Sequence, residues 1–324
     1  MEYVNCNLCR SKEKHLIFEL KNKYTPIGER LNIVKCNNCG LVYLNSRHHL
    51  EEIKKYYPQE YFPRLNIKRV DERDKNRLDI KCKNRLKEIL YLKKSGKVLD
   101  IGCGDGYFLN YLKQNGWQVN GIEISEFAAR KIKEKYDIDI FCGELSQAGY
   151  PDEYFDVVSL FEVLEHLPDP AEALLEVQRI IKKTGLLIMT VPNFDSLQRL
   201  LFGKYWHIID PPRHLFYFSR TTIDTILKKC NFGLFTIKAI DGARVLDIKT
   251  TTGYSESIRS IFKNSSLSSS ERMGCNKVLL SIDREKSMFL KEFLHRFEAV
   301  VFLFPALIAK ILSREDTLLI KAIK

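Results

Sequence analysis

The sequence predicts an α/β protein built on a doubly wound, mainly parallel sheet, and three observations carry that prediction. From Gly96 onward, short apolar runs alternate with segments of helical periodicity. Glycines cluster where the first such run meets the first helical segment, in "VLDIGCGDGYF". Helix-start signals recur between the runs: Ser125, Asp169 followed by Pro170, and Ser219. Strand and helix alternation of this kind gives parallel strands with helices on both faces.

The amino-terminal residues 1–45 stand apart from that pattern. They hold two CxxC pairs, Cys6/Cys9 and Cys36/Cys39, separated by 26 residues. Each pair can form a knuckle whose thiolates face one metal, and four thiolates in a tetrahedron make a closed, structural zinc site. The nine cysteines therefore point to metal in a reducing compartment and not to disulfides. Gly40 follows the second knuckle, where a tight turn needs a residue without Cβ.

Residues 46–95 read as a helical connector. "HHLEEIKKYYPQEYF" is expected to be helical, as is "DERDKNRLDIKCKNRLKEILYL", whose Leu78, Cys82, Leu86, Ile89 and Leu90 recur at helical spacing. The core at 96–242 then runs "KVLDIG" strand, "GYFLNYLKQNG" helix, "WQVNGIE" strand, "SEFAARKIKEKY" helix, a strand ending before "FCGELSQAGY", "FDVVSLF" strand, "DPAEALLEVQRIIKKTG" helix, "LLIMTVPN" strand, "SRTTIDTILKKCNFG" helix and "LFTIKAID" strand. Residues 243–311 are expected to form a loop and an apolar helical insertion. Its stretch "KSMFLKEFLHRFEAVVFLFPALIAKIL" is interrupted by Arg296, Glu298, Pro305 and Lys310, which disfavours a bilayer span. Covering the core or making a homodimer is favoured for it over peripheral membrane contact. "DTLLIKAIK", within 312–324, is expected to be a terminal strand at the sheet edge.

Composition sets the outer bounds. A hydrophobic content of 45% over 324 residues suffices for a large core plus an appendage. No leader-like apolar core follows the amino terminus, so a cytoplasmic location is expected. The net charge of +11 divides as +10 over residues 1–95, −7 over 96–193 and +8 over 194–324. Basic ends of that kind suit a phosphorylated substrate, anionic lipid or nucleic acid, although neither end has a compact basic run.

The glycine loop carries the chemistry. Gly102, Gly104 and Gly106 lie between a strand and a helix, where the backbone can approach a ligand and the helix start offers free N–H groups. A dinucleotide fingerprint would place its third glycine at position 107, which is Tyr107 here. Asp100, two residues before the first glycine, is also foreign to that fingerprint.

The run Asp100-Ile101-Gly102-Cys103-Gly104-Asp105-Gly106 resembles the first motif of class I S-adenosylmethionine (SAM)-dependent methyltransferases, and the following elements keep that family's order over residues 96–242. The resemblance implies a Rossmann-like, seven-stranded, mainly parallel sheet and SAM as cofactor. It implies that Asp100, Gly102, Cys103, Gly104 and Gly106 wrap the methionyl part and that Glu123 binds the ribose hydroxyls. A carboxylate accepting from two vicinal hydroxyls is favourable hydrogen-bond chemistry. Glu144 is placed near the adenine amino group, Ile124 and Phe161 join the cofactor contacts, and Asp156 takes a structural position. "CNNCGLVYLNSR", "YYPQEYF" and "PPRHLFYFS" together resemble a bacterial subgroup with an N-terminal CxxC/CxxC zinc-ribbon-like segment, often associated with surface polysaccharide or sugar-nucleotide metabolism.

Methyl transfer from a sulfonium is an in-line displacement, so holding the acceptor aligned supplies up to about 7–11 kcal/mol. An oxygen acceptor must also lose a proton, and the candidates stand in "LFEVLEHL". If this segment is helical, Glu162, Glu165 and His166 share one face at the sheet's carboxyl end, where ligands bind. Three roles are open. His166 is a general base oriented by a glutamate; or the two carboxylates and the imidazole, with His214 of "PPRHL", hold a divalent cation; or the group orders the loop. The ExxEH turn is similar to that of ubiquinone-pathway O-methyltransferases and small-RNA 2′-O-methyltransferases, where such residues are metal ligands.

Other acceptor chemistries lose their usual marks. A (D/N)PP(Y/F) motif for nitrogen methylation is replaced by "LFEVLEH", and "DPPRH" at 210–214 falls after the following strand. Neither Cys103 nor Cys142 has the setting of a nucleophile for pyrimidine carbon methylation. Trp206, His207, Arg213, His214, Phe216 and Tyr217 are read as a lid or acceptor wall, with Arg213 as a phosphate clamp. The favoured expectation is an enzyme methylating an oxygen of a small-molecule or glycan acceptor, with sugar carbon left open. The alternative is an RNA methyltransferase that uses its basic zinc segment to bind RNA.

Overall fold

The computed structural model describes residues 1–25, 28–66, 71–240, 310 and 314–324. The expected insertion at 243–311 lies outside the described residues, apart from Lys310. The chain opens with β1 (Lys14–Lys21), β2 (Arg30–Cys36) and β3 (Val42–Leu44), then α1 (Leu50–Ile53), α2 (Pro63–Asn66) and the long α3 (Glu72–Leu90). The core continues as β4 (Lys97–Ile101), α4 (Tyr107–Gln114), β5 (Gln118–Glu123), α5 (Glu126–Tyr136), β6 (Ile140–Cys142), β7 (Phe155–Phe161), α6 (Pro170–Ile180) and β8 (Ile181–Pro192). After it come α7 (Leu197–Phe202), β9 (Phe216–Tyr217), α8 (Arg220–Lys229), β10 (Leu234–Ile240) and β11 (Thr317–Ile323).

The main sheet has seven strands in the order β10-β11-β8-β7-β4-β5-β6. Neighbouring strands from β6 through β8 are parallel, and β11 runs antiparallel to both β8 and β10. The sequence-predicted class is therefore the observed one, a Rossmann-like mainly parallel sheet. Its central strands bury both faces, because period-two alternation sends successive side chains to opposite layers. Val157 and Phe161 of β7, with Leu186 and Ile188 of β8, pack with Leu86 and Ile89 of α3 and Phe108 and Leu112 of α4. The intervening Val158, Leu160, Leu187 and Met189 pack with Leu174 and Val177 of α6 and Ile223 and Ile226 of α8.

The predicted caps form. The side-chain oxygens of Ser125, Asp169 and Ser219 accept from the first-turn N–H groups of α5, α6 and α8, with Pro170 opening α6. Asp156 accepts from the Lys97 N–H at 2.8 Å and pairs with Lys182 at 2.8 Å, tying the start of β7 to the start of β4.

Three expectations change. The helix after Asp169 stops at Ile180, and "IKKTG" opens β8, because Ile181 pairs with Phe155 and the Tyr154 N–H takes the Ile180 carbonyl at 2.7 Å. "DTLLIKAIK" is not the edge strand: Leu318 to Ile320 are buried on both sides, so β11 inserts between β8 and β10. The exposure-alternating β10 takes the edge instead. Finally, "HHLEEIKKYYPQEYF" is no continuous helix. It forms α1 and two single 3₁₀ turns, Lys54–Tyr56 and Gln59–Tyr61, broken at Pro58, whose ring removes a donor.

A second sheet, β1-β2-β3-β9, is antiparallel throughout, and its last strand comes from the segment after β8. The cysteine-bearing segment is thus sewn to the Rossmann-like core by main-chain pairing, Val42 with Tyr217 and Tyr43 with Phe216. Among the described residues, no helix is long and apolar enough to cross a membrane.

Candidate active site

The glycine loop occupies the turn from β4 to α4 and is shaped by what lies behind it. Gly102 has φ +65°, and a Cβ there would stand 2.6 Å from Val163 Cγ2. Gly104 has φ +59° with open space where its Cβ would point. One glycine lets the loop pack against the "EVLEH" turn; the other keeps a ligand-facing wall clear. Glu123, at the end of β5, accepts from the Gly104 N–H at 2.9 Å through Oε2 and from the Ser125 N–H at 3.1 Å through Oε1. Burial raises its pKa, while those backbone donors favour the ionised form. Asp100 points elsewhere: it accepts from the Ser159 hydroxyl at 2.6 Å inside the sheet, and burial lifts its pKa to about 6.

A cleft of about 730 Å³ runs past this loop. Gly102, Gly104, Glu123, Ile124, Glu144 and Phe161 line it, whereas Asp100, Cys103 and Gly106 do not. Glu144 also caps the 3₁₀ turn at Leu145–Gln147. The other wall comes from the connector, through Tyr57, Tyr61 and Phe62, and from α3, through Lys81 and Arg85. Arg85 lies 4.0 Å over the Phe161 ring, and its Nε is buried without a hydrogen-bond partner. Burial, reinforced by Arg85, lowers the Lys81 pKa to about 7. Two cations one helical turn apart, facing a cleft, suit a carboxylate ligand.

The "EVLEH" segment is not the helix that its spacing suggested. Glu162 takes a left-handed φ of +59° directly after β7, and Leu164–His166 make one 3₁₀ turn. Glu162 and His166 consequently line the cleft, while Glu165 is wholly buried beneath it. Burial raises the Glu162 pKa to about 7, and burial, with the Glu162 carboxyl close by, pushes the Glu165 pKa up. His166 Nδ1 lies 2.9 Å from the Arg213 carbonyl and 3.1 Å from the Tyr57 hydroxyl. A carbonyl only accepts, so Nδ1 carries the hydrogen and Nε2 keeps its lone pair. Burial lowers the His166 pKa to about 4, so the ring is neutral at pH 7. His214 stacks edge-on to His166 at 4.7 Å, and burial brings its pKa to about 3. Glu165, His166 and His214 each place a ligand atom within 4.8 Å of the others.

Known proteins resemble the chain in this region. The family described as "Methyltransferase domain" matches residues 73–237, just over half of the chain. The chain belongs to this methyltransferase family. A ubiquinone biosynthesis O-methyltransferase of Thiobacillus denitrificans is 34% identical over 32% of this chain and 48% of its own length. A probable SAM-dependent methyltransferase of Mycobacterium tuberculosis is 33% identical over 30% of this chain and 35% of its own length. The chain thus spans less than half the length of these curated relatives. The crystal structure of a SAM-dependent methyltransferase from Archaeoglobus fulgidus aligns over 76% of this chain and 94% of that one, at 22% identity and a TM-score of 0.49.

In this class I methyltransferase domain, SAM fits the residues that line the cleft. Glu123 presents a carboxylate for vicinal hydroxyls beside the open wall at Gly104, and Lys81 with Arg85 present positive charge for an amino-acid carboxylate.

The cysteine-bearing segment touches the same site from behind. Cys6 and Cys39 Sγ lie 3.4 Å apart, Cys9 and Cys36 Sγ 3.5 Å apart, and all four fall within 4.8 Å. A tetrahedron with zinc–sulfur bonds of about 2.3 Å has edges of roughly 3.8 Å. From this knuckle, the Leu44 N–H donates to the Leu215 carbonyl at 2.8 Å, and the Leu215 N–H donates to the Glu165 carbonyl at 2.8 Å.

The segment read as an acceptor wall is mostly interior. Trp206, Phe216 and Tyr217 are almost fully buried. Arg213 is claimed by Asp210, with Nε 2.8 Å from Oδ2, and Lys23 reaches the same carboxylate at 2.7 Å. Despite burial, His214, Lys23 and Arg213 hold Asp210 well below the usual carboxylate range. Arg213 is therefore already paired and is no free phosphate clamp.

Proposed function

We propose that this methyltransferase-family protein transfers the methyl group of SAM to an oxygen of a small-molecule or glycan acceptor, with His166 as general base. The observation that carries the proposal is the commitment of Nδ1–H to the Arg213 carbonyl, which leaves Nε2 as proton acceptor on a residue lining the cofactor cleft. The acceptor oxygen attacks the sulfonium methyl, its proton passes to Nε2, and S-adenosylhomocysteine leaves as a neutral thioether. Glu162 also lines the cleft, but its carboxyl interacts with Glu165, Arg85 and Lys81 and not with the imidazole.

A second reading places a divalent cation on Glu165, His166 and His214, favoured by the proximity of their ligand atoms. Glu165 and His214 do not line the cleft, so such an ion would sit behind the reacting atoms and order the turn. A link to surface polysaccharide or sugar-nucleotide metabolism rests on sequence resemblance to the zinc-ribbon-bearing subgroup. The four cysteines are proposed as a structural zinc site that anchors the β3–β9 pairing.

Cell-extract fractions incubated with methyl-labelled SAM test the proposal. Label should enter small molecules or glycans and be lost with His166→Gln. Label entering RNA overturns the acceptor assignment, and full activity of His166→Gln overturns the base.

A further inference from the structure

The short helix after β8 wears its apolar residues outward. Ser196 starts α7 by accepting from the Arg199 N–H, and Gly203, at φ +54°, ends it. Leu197, Leu200 and Leu201 fall at i, i+3 and i+4, one face of a helix. A helix lying on a core turns such a face inward. Here a polar residue is inward instead: Gln198 is 3% exposed, whereas Leu200 is 45% exposed and Leu201 58%. The surroundings of this face are basic. Lys204, in the 3₁₀ turn Gly203–Tyr205, is exposed, as are Lys310 and Arg314. Arg314 reaches α7 directly, its carbonyl accepting the Leu197 N–H at 2.9 Å, and its charge opposes that of Arg199. Asp195 is an exposed acid beside them, so the cations outnumber it. The chain that returns at Arg314 comes from residues 299–312, of which twelve of fourteen are Ala, Val, Leu, Ile or Phe. Two leucines offer too little area to cover such a stretch, whereas a lipid surface takes apolar residues from both.

We propose that the outward face of α7 docks on an anionic lipid bilayer. Leu200 and Leu201 enter the boundary between headgroups and acyl chains, and Lys204 and Arg314 meet the lipid phosphates. Lys310, four positions from Arg314, is within about 14 Å of it along the chain and adds to the same field. The docking face lies on the functional side of the sheet. α7 follows the end of β8, and the cleft follows the ends of β4, β5 and β7, so both stand at the carboxyl edge of the parallel strands. Contact through α7 therefore brings that edge towards the lipid. The docking does not depend on which acceptor is methylated.

Co-sedimentation of the full chain with vesicles tests this. Wild type should bind vesicles of mixed phosphatidylglycerol and phosphatidylcholine about tenfold more tightly than vesicles of phosphatidylcholine alone, and added salt should narrow the difference. Leu200→Glu combined with Leu201→Glu should weaken binding to the mixed vesicles about tenfold, with the melting temperature and S-adenosylhomocysteine affinity of wild type. Lys204→Glu, which leaves the leucines in place, should weaken binding to the mixed vesicles and leave the phosphatidylcholine vesicles unaffected. Equal binding of wild type to both vesicles, no binding to either, or undiminished binding by the two variants overturns the proposal. A lower melting temperature in the double leucine variant assigns the leucines to packing within the chain, and a wild-type dimer that this variant turns into a monomer assigns them to a second copy; either result overturns it as well.

Discussion

Alanine at Gly102 and at Gly104 should produce opposite defects, although both glycines sit in one loop with left-handed backbones. Either alanine carries a strain of about 1–2 kcal/mol from the left-handed conformation. At Gly102 the new Cβ also meets Val163 Cγ2 at 2.6 Å, and Val163 is itself 9% exposed and held by the turn that carries Glu165 and His166. Overpacking of that kind adds about 1–3 kcal/mol. The sum, about 2–5 kcal/mol, corresponds to a melting-temperature loss of roughly 4–15 °C for a chain of this size. At Gly104 only the strain applies, a loss of roughly 2–6 °C, but the Cβ projects from the cleft wall beside the Glu123 contact. Differential scanning fluorimetry and calorimetric titration with S-adenosylhomocysteine read the two effects separately. Gly102→Ala should melt below Gly104→Ala, and Gly104→Ala should weaken ligand binding at least tenfold, about 1.4 kcal/mol. Equal melting temperatures for the two variants, or wild-type affinity in Gly104→Ala, would refute this account of the loop.

The acidic limb of kcat/KM should fall near pH 4, because burial lowers the His166 pKa and the base stays available until it protonates; a limb at pH 6–7 removes His166 from that role. Lys81 is held near pH 7, so its charge is present below that pH and lost above it. S-adenosylhomocysteine affinity should therefore weaken as pH rises from 6 to 9 in wild type and stay flat in Lys81→Met; parallel profiles would exclude Lys81 from ligand binding. One zinc per chain should be found by metal analysis and lost in Cys36→Ser. Metal loss should lower the melting temperature by about 10 °C, taking a metal present at roughly a thousandfold over its Kd. A metal-free wild type with an unchanged melting curve would contradict the structural site.

The strands and caps of the core were legible because their causes are local. Ser125, Asp169 and Ser219 cap the helices that their positions announce, and the apolar runs of β7 and β8 bury both faces as a central parallel sheet requires. What escaped was set by distant partners. The start of β8 at Ile181 depends on its pairing with Phe155, and the place of β11 depends on burial against both β8 and β10. No local pattern separates Ile181 from a helix end. At the site, motif and order pointed to Glu123, Glu144, Gly102 and Gly104, which line the cleft, and to Asp100, Cys103 and Gly106, which do not, while the connector's half of the cleft was not legible. Lys81 and Arg85 flank the apolar stripe of α3, and Phe161, which Arg85 covers, is 76 positions away. Two cations one turn apart at the border of that stripe were the available signal. The left-handed Glu162 escaped for a similar reason: the turn is imposed by β7 ending against Thr190, whose carbonyl takes the Glu162 N–H at 3.0 Å.

The central claim is that the cleft between the glycine loop and α3 holds SAM through Glu123. Calorimetric titration of the folded protein with S-adenosylhomocysteine tests it most directly, with Glu123→Gln as the comparison. One site per chain should bind, and the amide, which cannot accept from the ribose hydroxyls and both backbone N–H groups as a carboxylate can, should weaken it at least tenfold, about 1.4 kcal/mol. A folded wild-type protein that binds nothing, or a Glu123→Gln variant that binds as wild type does, would contradict the account.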